Sequence, residues 1–280
     1  MEKLTKKNKI LKGNNWLKIL KYGKVQTRKR KLNPASYFGK YGKNQKLKFD
    51  CFIFKYGTPR IYAKQQTTLI HIIITQLGIL PCIIIDGMAG YGINTFSFLT
   101  DFPHHIIRKI NVIAYEISSE RCKLLRYNLS PFNNWNLLII NKSISSLFKD
   151  LNKISSFQQK IIVFLDPPWN NGNINIDNIR IDKFCKKLIC EPKIVCIVIK
   201  LPFYFNFKIF RKCNFFVFWH CNFNNVVRMK SVIILKNLKH LNNIIQICQT
   251  VFKNVPHKIW QYKNDFSFGQ NMRCKYLNSS

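Results

Sequence analysis

The residues best equipped for chemistry are Asp166, Pro167, Pro168 and Trp169: a carboxylate, two rigid backbone carbonyls and an indole within four positions. The carboxylate and the carbonyl of Pro167 can accept both hydrogens of an exocyclic amine, which turns the nitrogen lone pair out of conjugation and toward an electrophile. The indole of Trp169 can stack on the flat ring that carries the amine. An acid before two prolines is also what an ordinary turn looks like, so the tetrapeptide acquires meaning only from the elements around it.

Two further stretches carry chemistry. Asp86-Gly87-Met88-Ala89-Gly90-Tyr91-Gly92-Ile93-Asn94-Thr95 follows a short apolar run and precedes a helical pattern from Phe96. Strand, glycine loop and helix in that order suit a nucleotide-like cofactor, because glycines let backbone amides approach a ligand. The loop lacks the spacing GxGxxG and lacks a P-loop lysine, which disfavours a phosphate-bearing cofactor. Glu116 ends the next apolar run, where an acid can accept hydrogen bonds from both ribose hydroxyls of an adenosine. The alternative for Glu116 taken alone is an ordinary acid at the N-terminus of the following helix.

These residues must be held by regular elements. Cys82-Ile83-Ile84-Ile85, Asn111 to Tyr115, Leu137 to Ile140, Ile161 to Leu165 and Ile194 to Ile199 read as buried parallel strands, the last closed by Lys200-Leu201-Pro202. Phe215 to Trp219 and Ser231 to Leu235 read as an antiparallel pair. Gln66 to Gln76, Ser118 to Leu129, Ser145 to Leu151 and Ile179 to Ile189 read as helices. The alternation predicts an α/β, doubly wound sheet, with ligands at the strand C-terminal ends. Three of the chain's 12 acids, Asp86, Glu116 and Asp166, then fall on one edge.

Composition bounds the partners. The 280 residues hold 46 Lys and Arg against 12 Asp and Glu, a net charge of +34, which attracts polyanions. Part of the lysine excess accompanies a general abundance of Asn, Ile, Lys and Phe, as an AT-rich coding sequence produces. Residues 1–48 contain 16 Lys or Arg and one acid, Glu2, and read as a basic N-terminal arm; a solvated tail and a nuclear-import signal at Arg28-Lys29-Arg30-Lys31 are the other readings. Residues 49–240 make the α/β domain, and 241–280 are a C-terminal extension without a clear pattern. The 10 cysteines show no CxxC pair, which argues for reduced thiols and against a zinc site. No stretch reads as membrane-spanning. His104-His105 read as a solvated loop, and Phe203-Tyr204-Phe205-Asn206-Phe207 as core or a pocket cover rather than a base-stacking platform.

With these residues in place the chain resembles the trimethylguanosine synthase family of RNA cap guanine-N2 methyltransferases. The family's Asp-x-x-x-Gly-x-Gly-x-Asn-Thr-x-x-Phe pattern is met by Asp86, Gly90, Gly92, Asn94, Thr95 and Phe98, its second-strand acid by Glu116, its later helix asparagine by Asn128, and its Pro-Pro-Trp signature by Asp166 to Trp169. Phe49-Asp50, His71-Ile72, Leu201-Pro202 and Asn222 to Asn225 are similar as well, so the likeness covers roughly residues 49–236. The chain departs from the pattern at Arg60 to Gln66, where the family is aromatic-rich. It also departs at Asn170-Asn171 in place of Gly-Gly, at Ser143 in place of an acid facing the adenine amine, and at Phe203-Tyr204 in place of Arg-Asn.

The resemblance implies a class I methyltransferase, Rossmann-like fold with a mostly parallel seven-stranded sheet, and S-adenosyl-L-methionine as cofactor. It implies Asp86, Gly90, Gly92, Asn94, Thr95, Glu116 and Ser143 on the cofactor, and Trp169, Asn170, Asn171, Lys200 and Pro202 on the substrate. Asp166, Pro167, Pro168 and Trp169 are the implied catalytic set. The implied substrate is the 7-methylguanosine cap of RNA, held with help from the basic arm, in the nucleus or cytoplasm and with the nucleus favoured by the basic run. DNA adenine N6, structural-RNA guanine N2, and an inactive RNA-binding relative are the alternatives.

Overall fold

The computed structural model describes residues 33–50, 53, 57–132, 136–154, 159–169, 174–211, 213–221, 227–237 and 239–252, and the backbone of the strand pieces 26–27, 30–31 and 257–262. Its centre is β1 (Cys82–Asp86), whose five residues are all buried. On one side β1 pairs in parallel with β2 (Ile110–Tyr115), which pairs with β3 (Leu137–Ile140); on the other it pairs in parallel with β4 (Lys160–Leu165) and that with β5 (Ile194–Pro202). β6 (Phe215–Cys221) and β7 (Val227–Leu235) form an antiparallel pair, and β7 inserts beside β5. The strand order is 3-2-1-4-5-7-6, followed by β8 (His257–Tyr262) at the outer edge.

The seven expected strands are all present, and β8 adds an eighth from the segment in which the sequence shows no clear pattern. β5 is longer than its apolar run suggests: Lys200, Leu201 and Pro202 remain in the ladder opposite Ser231, Lys230 and Met229. Lys200 therefore enters the interior as a strand residue.

Parallel strands covered on both faces read as continuous apolar runs because alternate residues enter opposite cores. Ile84, Val112, Ile162 and Val198 enter one core, where they meet α1 (Ala35–Asn44), α2 (Arg60–Leu77), α3 (Ile93–Thr100), α4 (Ser119–Asn128) and α7 (Leu241–Val251). Ile83, Ile85, Val163 and Ile199 enter the other, under α5 (Leu147–Ile154) and α6 (Ile181–Cys190). α2 begins six residues before the expected Gln66, because Pro59 supplies its start and Gly78, in the left-handed region at φ 59°, ends it.

Phe38 and Leu47, placed by sequence in the basic arm, are 1% and 2% exposed and pack with Phe49 against the first core. α1 therefore packs as part of that core. Asn128, at the end of α4, fastens this segment: its side chain accepts from the Lys48 amide at 2.8 Å and donates to the carbonyls of Lys48 and Tyr91 at 3.0 and 3.2 Å. One buried amide thereby ties the N-terminal segment to the glycine loop. The first two basic residues of Arg28 to Lys31, together with Asn170, Asn171 and the Asn222 to Asn225 segment, lie outside the described residues.

Candidate active site

The C-terminal ends of β1, β2 and β4 open into a cleft of about 470 Å³, lined among others by Gly90, Asn94, Glu116, Ser143, Asp166, Pro167, Pro168, Trp169 and Lys200. The sequence therefore brings its glycine loop, ribose-type acid and tetrapeptide to one place. This is where open α/β sheets hold ligands.

The glycine loop leaves β1 by two devices. Gly90 has φ +56° and Gly92 φ +88°, a region that costs a side-chain-bearing residue strain. A Cβ on Gly90 would meet nothing within 4 Å, so the backbone here is bare toward the cleft. A Cβ on Gly92 would lie 2.6 Å from Leu125 Cδ1, so Gly92 serves close packing of the loop on α4 and does not line the cleft.

Glu116 is 5% exposed and both its oxygens are oriented: Oε2 accepts from the Gly90 amide and Oε1 from the Ser118 amide, each at 2.9 Å. Each carboxylate oxygen retains a second lone pair for a ligand hydroxyl. Asp86 has a different place from the one its motif implies. It is fully buried beneath the loop, accepts from Thr95 Oγ1 at 2.6 Å, and leaves Oδ1 without a partner among the described residues. Burial pushes its carboxyl up to about 7, opposed by the Thr95 hydrogen bond and raised further by Asp166. Asp86 and Thr95 thus brace the loop from below, and neither lines the cleft. Pro202 does not line it either.

Asp166 stands at the foot of the tetrapeptide with one oxygen fully engaged. Its Oδ2 receives Lys200 Nζ at 2.5 Å, Thr58 Oγ1 at 3.2 Å and Asn94 Nδ2 at 3.4 Å, while Oδ1 accepts nothing from the described residues. Lys200 also donates to Thr58 Oγ1 at 2.6 Å. The ion pair is deeply placed, with side-chain exposures of 3% for Lys200 and 13% for Asp166. Attraction and desolvation nearly offset in such a pair, so its consequence is a fixed orientation more than stability. Asn94, expected on the cofactor, lines the cleft, points its amide at this acid and leaves a buried Oδ1 without a partner among the described residues. Thr58 escapes sequence reasoning altogether; a lone threonine before a proline, 108 residues from Asp166, carries no periodic or motif signal.

Trp169 is half-buried against the second core, and Lys200 Nζ lies 5.1 Å from its ring centroid. Beyond Glu116, the cleft is walled by Ile117, 66% exposed, and by Ile144. Here Ser143 contacts Asp177, a residue on the turn of a hairpin (Asn175–Ile176 with Ile179–Arg180).

The remaining candidates behave as structure. His104 begins a short helical turn, and no cluster of metal-ligating side chains occurs among the described residues. Phe205 is buried in the second core, while Phe203 and Tyr204 are exposed beside it. No helix among the described residues is long and apolar enough to cross a membrane.

Comparison with known proteins bears on the fold. A protein from Porphyromonas gingivalis W83, provisionally assigned as a methyltransferase, superposes with a TM-score of 0.50 and 14% identity over 72% of this chain and 47% of its own. The chain thus spans about half the length of that protein. The Legionella pneumophila protein LPL1258 superposes at 0.46 with 9% identity, over 71% and 95% of the two chains. A provisionally assigned RNA methyltransferase from Pyrococcus horikoshii, PH1948, does so at 0.40 with 15% identity, over 67% and 88%. The strand order and the Porphyromonas likeness together establish the class I, Rossmann-like fold. No family model and no curated protein matches the sequence.

Proposed function

We propose that the chain is an S-adenosylmethionine-dependent methyltransferase that modifies an exocyclic amine of a nucleic-acid base, with the N2 amine of the 7-methylguanosine RNA cap as its substrate. The observation that carries this reading is the common cleft. Glu116, the bare backbone at Gly90 and the Asp166 to Trp169 tetrapeptide line one cavity of about 470 Å³, within the size of small-molecule and cofactor sites.

The donors present fit the cofactor. Glu116 would hold the ribose hydroxyls, the Gly90 backbone would lie along the ribose, and Ile117 and Ile144 would flank the base. When bound, S-adenosylmethionine would supply a sulfonium methyl carbon that an amine lone pair can attack, with neutral S-adenosylhomocysteine as the leaving group and the amine's surplus proton passing to Asp166 or to solvent. The protein's part is then placement. Asp166 Oδ1 accepts one amine hydrogen while Lys200, Thr58 and Asn94 keep Oδ2 occupied and the carboxylate from turning. The Pro167 carbonyl accepts the second hydrogen, and Trp169 lies against the ring.

The excess of cations over acids supports a polyanionic substrate, held by a salt-sensitive and largely sequence-independent attraction. A nuclear setting follows from this substrate and belongs to the same proposal.

A second reading, transfer to a neutral base such as adenine N6 or guanine N2 of unmodified RNA or DNA, is favoured by one observation. The Lys200 ammonium already stands over the Trp169 ring. A cationic 7-methylguanine gains about 0.5–2 kcal/mol from stacking on an indole, but it must share that indole with a second cation. The test is transfer of labelled methyl from S-adenosylmethionine to 7-methylguanosine cap analogue, unmethylated cap, duplex DNA and structured RNA in parallel. Label in the 7-methyl cap alone upholds the first reading, label in the neutral acceptors selects the second, and no label with no cofactor binding refutes both.

A further inference from the structure

Ser143 Oγ, on the cleft wall beyond Glu116, donates to a carboxylate 34 residues downstream, that of Asp177. Asp177 occupies the first position of the two-residue turn in the hairpin that precedes α6. Asp177 and Asn178 have φ of 45° and 65°, the pair of positive values that a two-residue hairpin turn of this hand requires. Asp and Asn tolerate that region better than other side-chain-bearing residues, so the residue type is already suited to the turn.

The turn alone does not account for the side chain. Asp177 lines the cleft together with Glu116, Ile117, Ser143 and Ile144. Its Oδ2 accepts hydrogen bonds from Ser143 Oγ, at 2.5 Å, and from Ser145 Oγ. These two bonds hold its carboxyl below the usual carboxylate range. Oδ1 accepts nothing from the described residues. The two cations that also line this part of the cleft are turned to other acids, Lys142 to Asp150 at 3.4 Å and Arg121 to Glu116 at 3.9 Å. Beyond Glu116 the cleft is thus lined by the apolar Ile117 and Ile144 and by Asp177, whose Oδ2 is oriented by two serines and whose Oδ1 has no donor among the described residues. A flat base with an outward amine matches apolar lining beside such an acceptor.

We infer that Asp177 receives the 6-amino group of the cofactor's adenine and so selects an aminopurine nucleoside, with Ser143 and Ser145 positioning its carboxylate. The inference rests on the S-adenosylmethionine reading above and adds a residue to it from outside the glycine-loop and second-strand motifs. It also assigns Ser143 an indirect part: the serine orients the acceptor rather than contacting the base.

The test is equilibrium binding of S-adenosylhomocysteine and of its 6-desamino analogue, in which hydrogen replaces the amine, to the full chain and to Asp177→Ala. A charge-assisted hydrogen bond at a partly exposed site corresponds to about a tenfold preference for the amine-bearing ligand. That preference is expected in the wild type and is expected to vanish in Asp177→Ala through weaker binding of S-adenosylhomocysteine alone. Should Asp177→Ala fail to fold, Asp177→Asn, which tolerates the same backbone, is expected to reduce the preference in the same direction. Equal weakening of both ligands by either variant would mean that Asp177 only shapes the hairpin, and an unchanged preference would remove it from the site. Either result overturns the inference and leaves the cofactor reading standing. Failure of the wild type to bind either ligand overturns both.

Discussion

Lys200 on β5 and Asp166 after β4 face each other across neighbouring parallel strands, Nζ to Oδ2 at 2.5 Å, with Thr58 and Asn94 completing the ring of donors. Three residues from three separate segments thus determine how one carboxylate is turned. Replacing Lys200 by Met leaves that carboxylate without its charge partner, a loss of about 3 kcal/mol for a buried pair. Denaturant unfolding measures it. The same variant separates the two substrate readings: a cationic cap should bind Lys200→Met more tightly relative to unmethylated guanosine cap, whereas a neutral base should show no such gain.

Asp166→Asn keeps the shape of the side chain and removes its charge. Methyl transfer is expected to fall by about 100-fold, the scale of a misplaced reacting group. Cofactor affinity is expected to stay within about threefold, because in the proposed mechanism Asp166 meets the amine while Glu116 holds the cofactor's ribose. Equal losses in turnover and in cofactor binding would contradict this division of labour.

Asp86 gives the fold a pH dependence. Its folded value of about 7 lies above its ordinary value near 3.8, so between them the native state holds a proton that the unfolded chain releases. Its contribution is full below pH 3.8 and is lost as pH rises through about 7. Unfolding free energy should therefore decline across this window in the wild type relative to Asp86→Asn, by an amount on the order of a few kcal/mol. Denaturation curves at pH 5 and pH 7.5 for both proteins check the slope, and parallel curves would refute it.

The two left-handed glycines should fail differently. Gly92→Ala adds a Cβ 2.6 Å from Leu125 at φ +88° and is expected to cost about 2–4 kcal/mol of stability. Gly90→Ala meets no atom within 4 Å, so its strain of about 1–2 kcal/mol should be accompanied by weakened cofactor binding. Thermal unfolding and ligand titration on both variants distinguish packing from binding.

Much of the frame is legible in the sequence because strands buried on both faces must be apolar throughout, and Ile83-Ile84-Ile85 and Ile161 to Leu165 have no other economical placement. Gly90, Glu116 and Asp166 are legible because strand ends and turns confine them to one edge. The direction of a side chain at such an end is not. Asp86 and Glu116 both close a strand, yet one turns under the loop and the other toward the cleft. Thr58 and Asp177 are illegible for another reason: each is an ordinary residue of a turn or helix start, and its contacts form only when distant segments meet. α1 is hidden by the cations that surround Phe38 and Leu47, which mask two well-buried anchors within a basic stretch.

The partners of Asp166 are separated from it by 108, 72 and 34 residues, and Thr58 from Lys200 by 142. Contacts of such span form only after loop closure has been achieved along most of the chain, so they belong to the late stages of folding. A fragment that stops before β5 carries the tetrapeptide without its cation, and one that starts after Thr58 lacks the hydroxyl between them. Splitting or circularly permuting the domain anywhere between residues 58 and 200 therefore makes reassembly of this corner a sensitive report of whether the two pieces have docked in register.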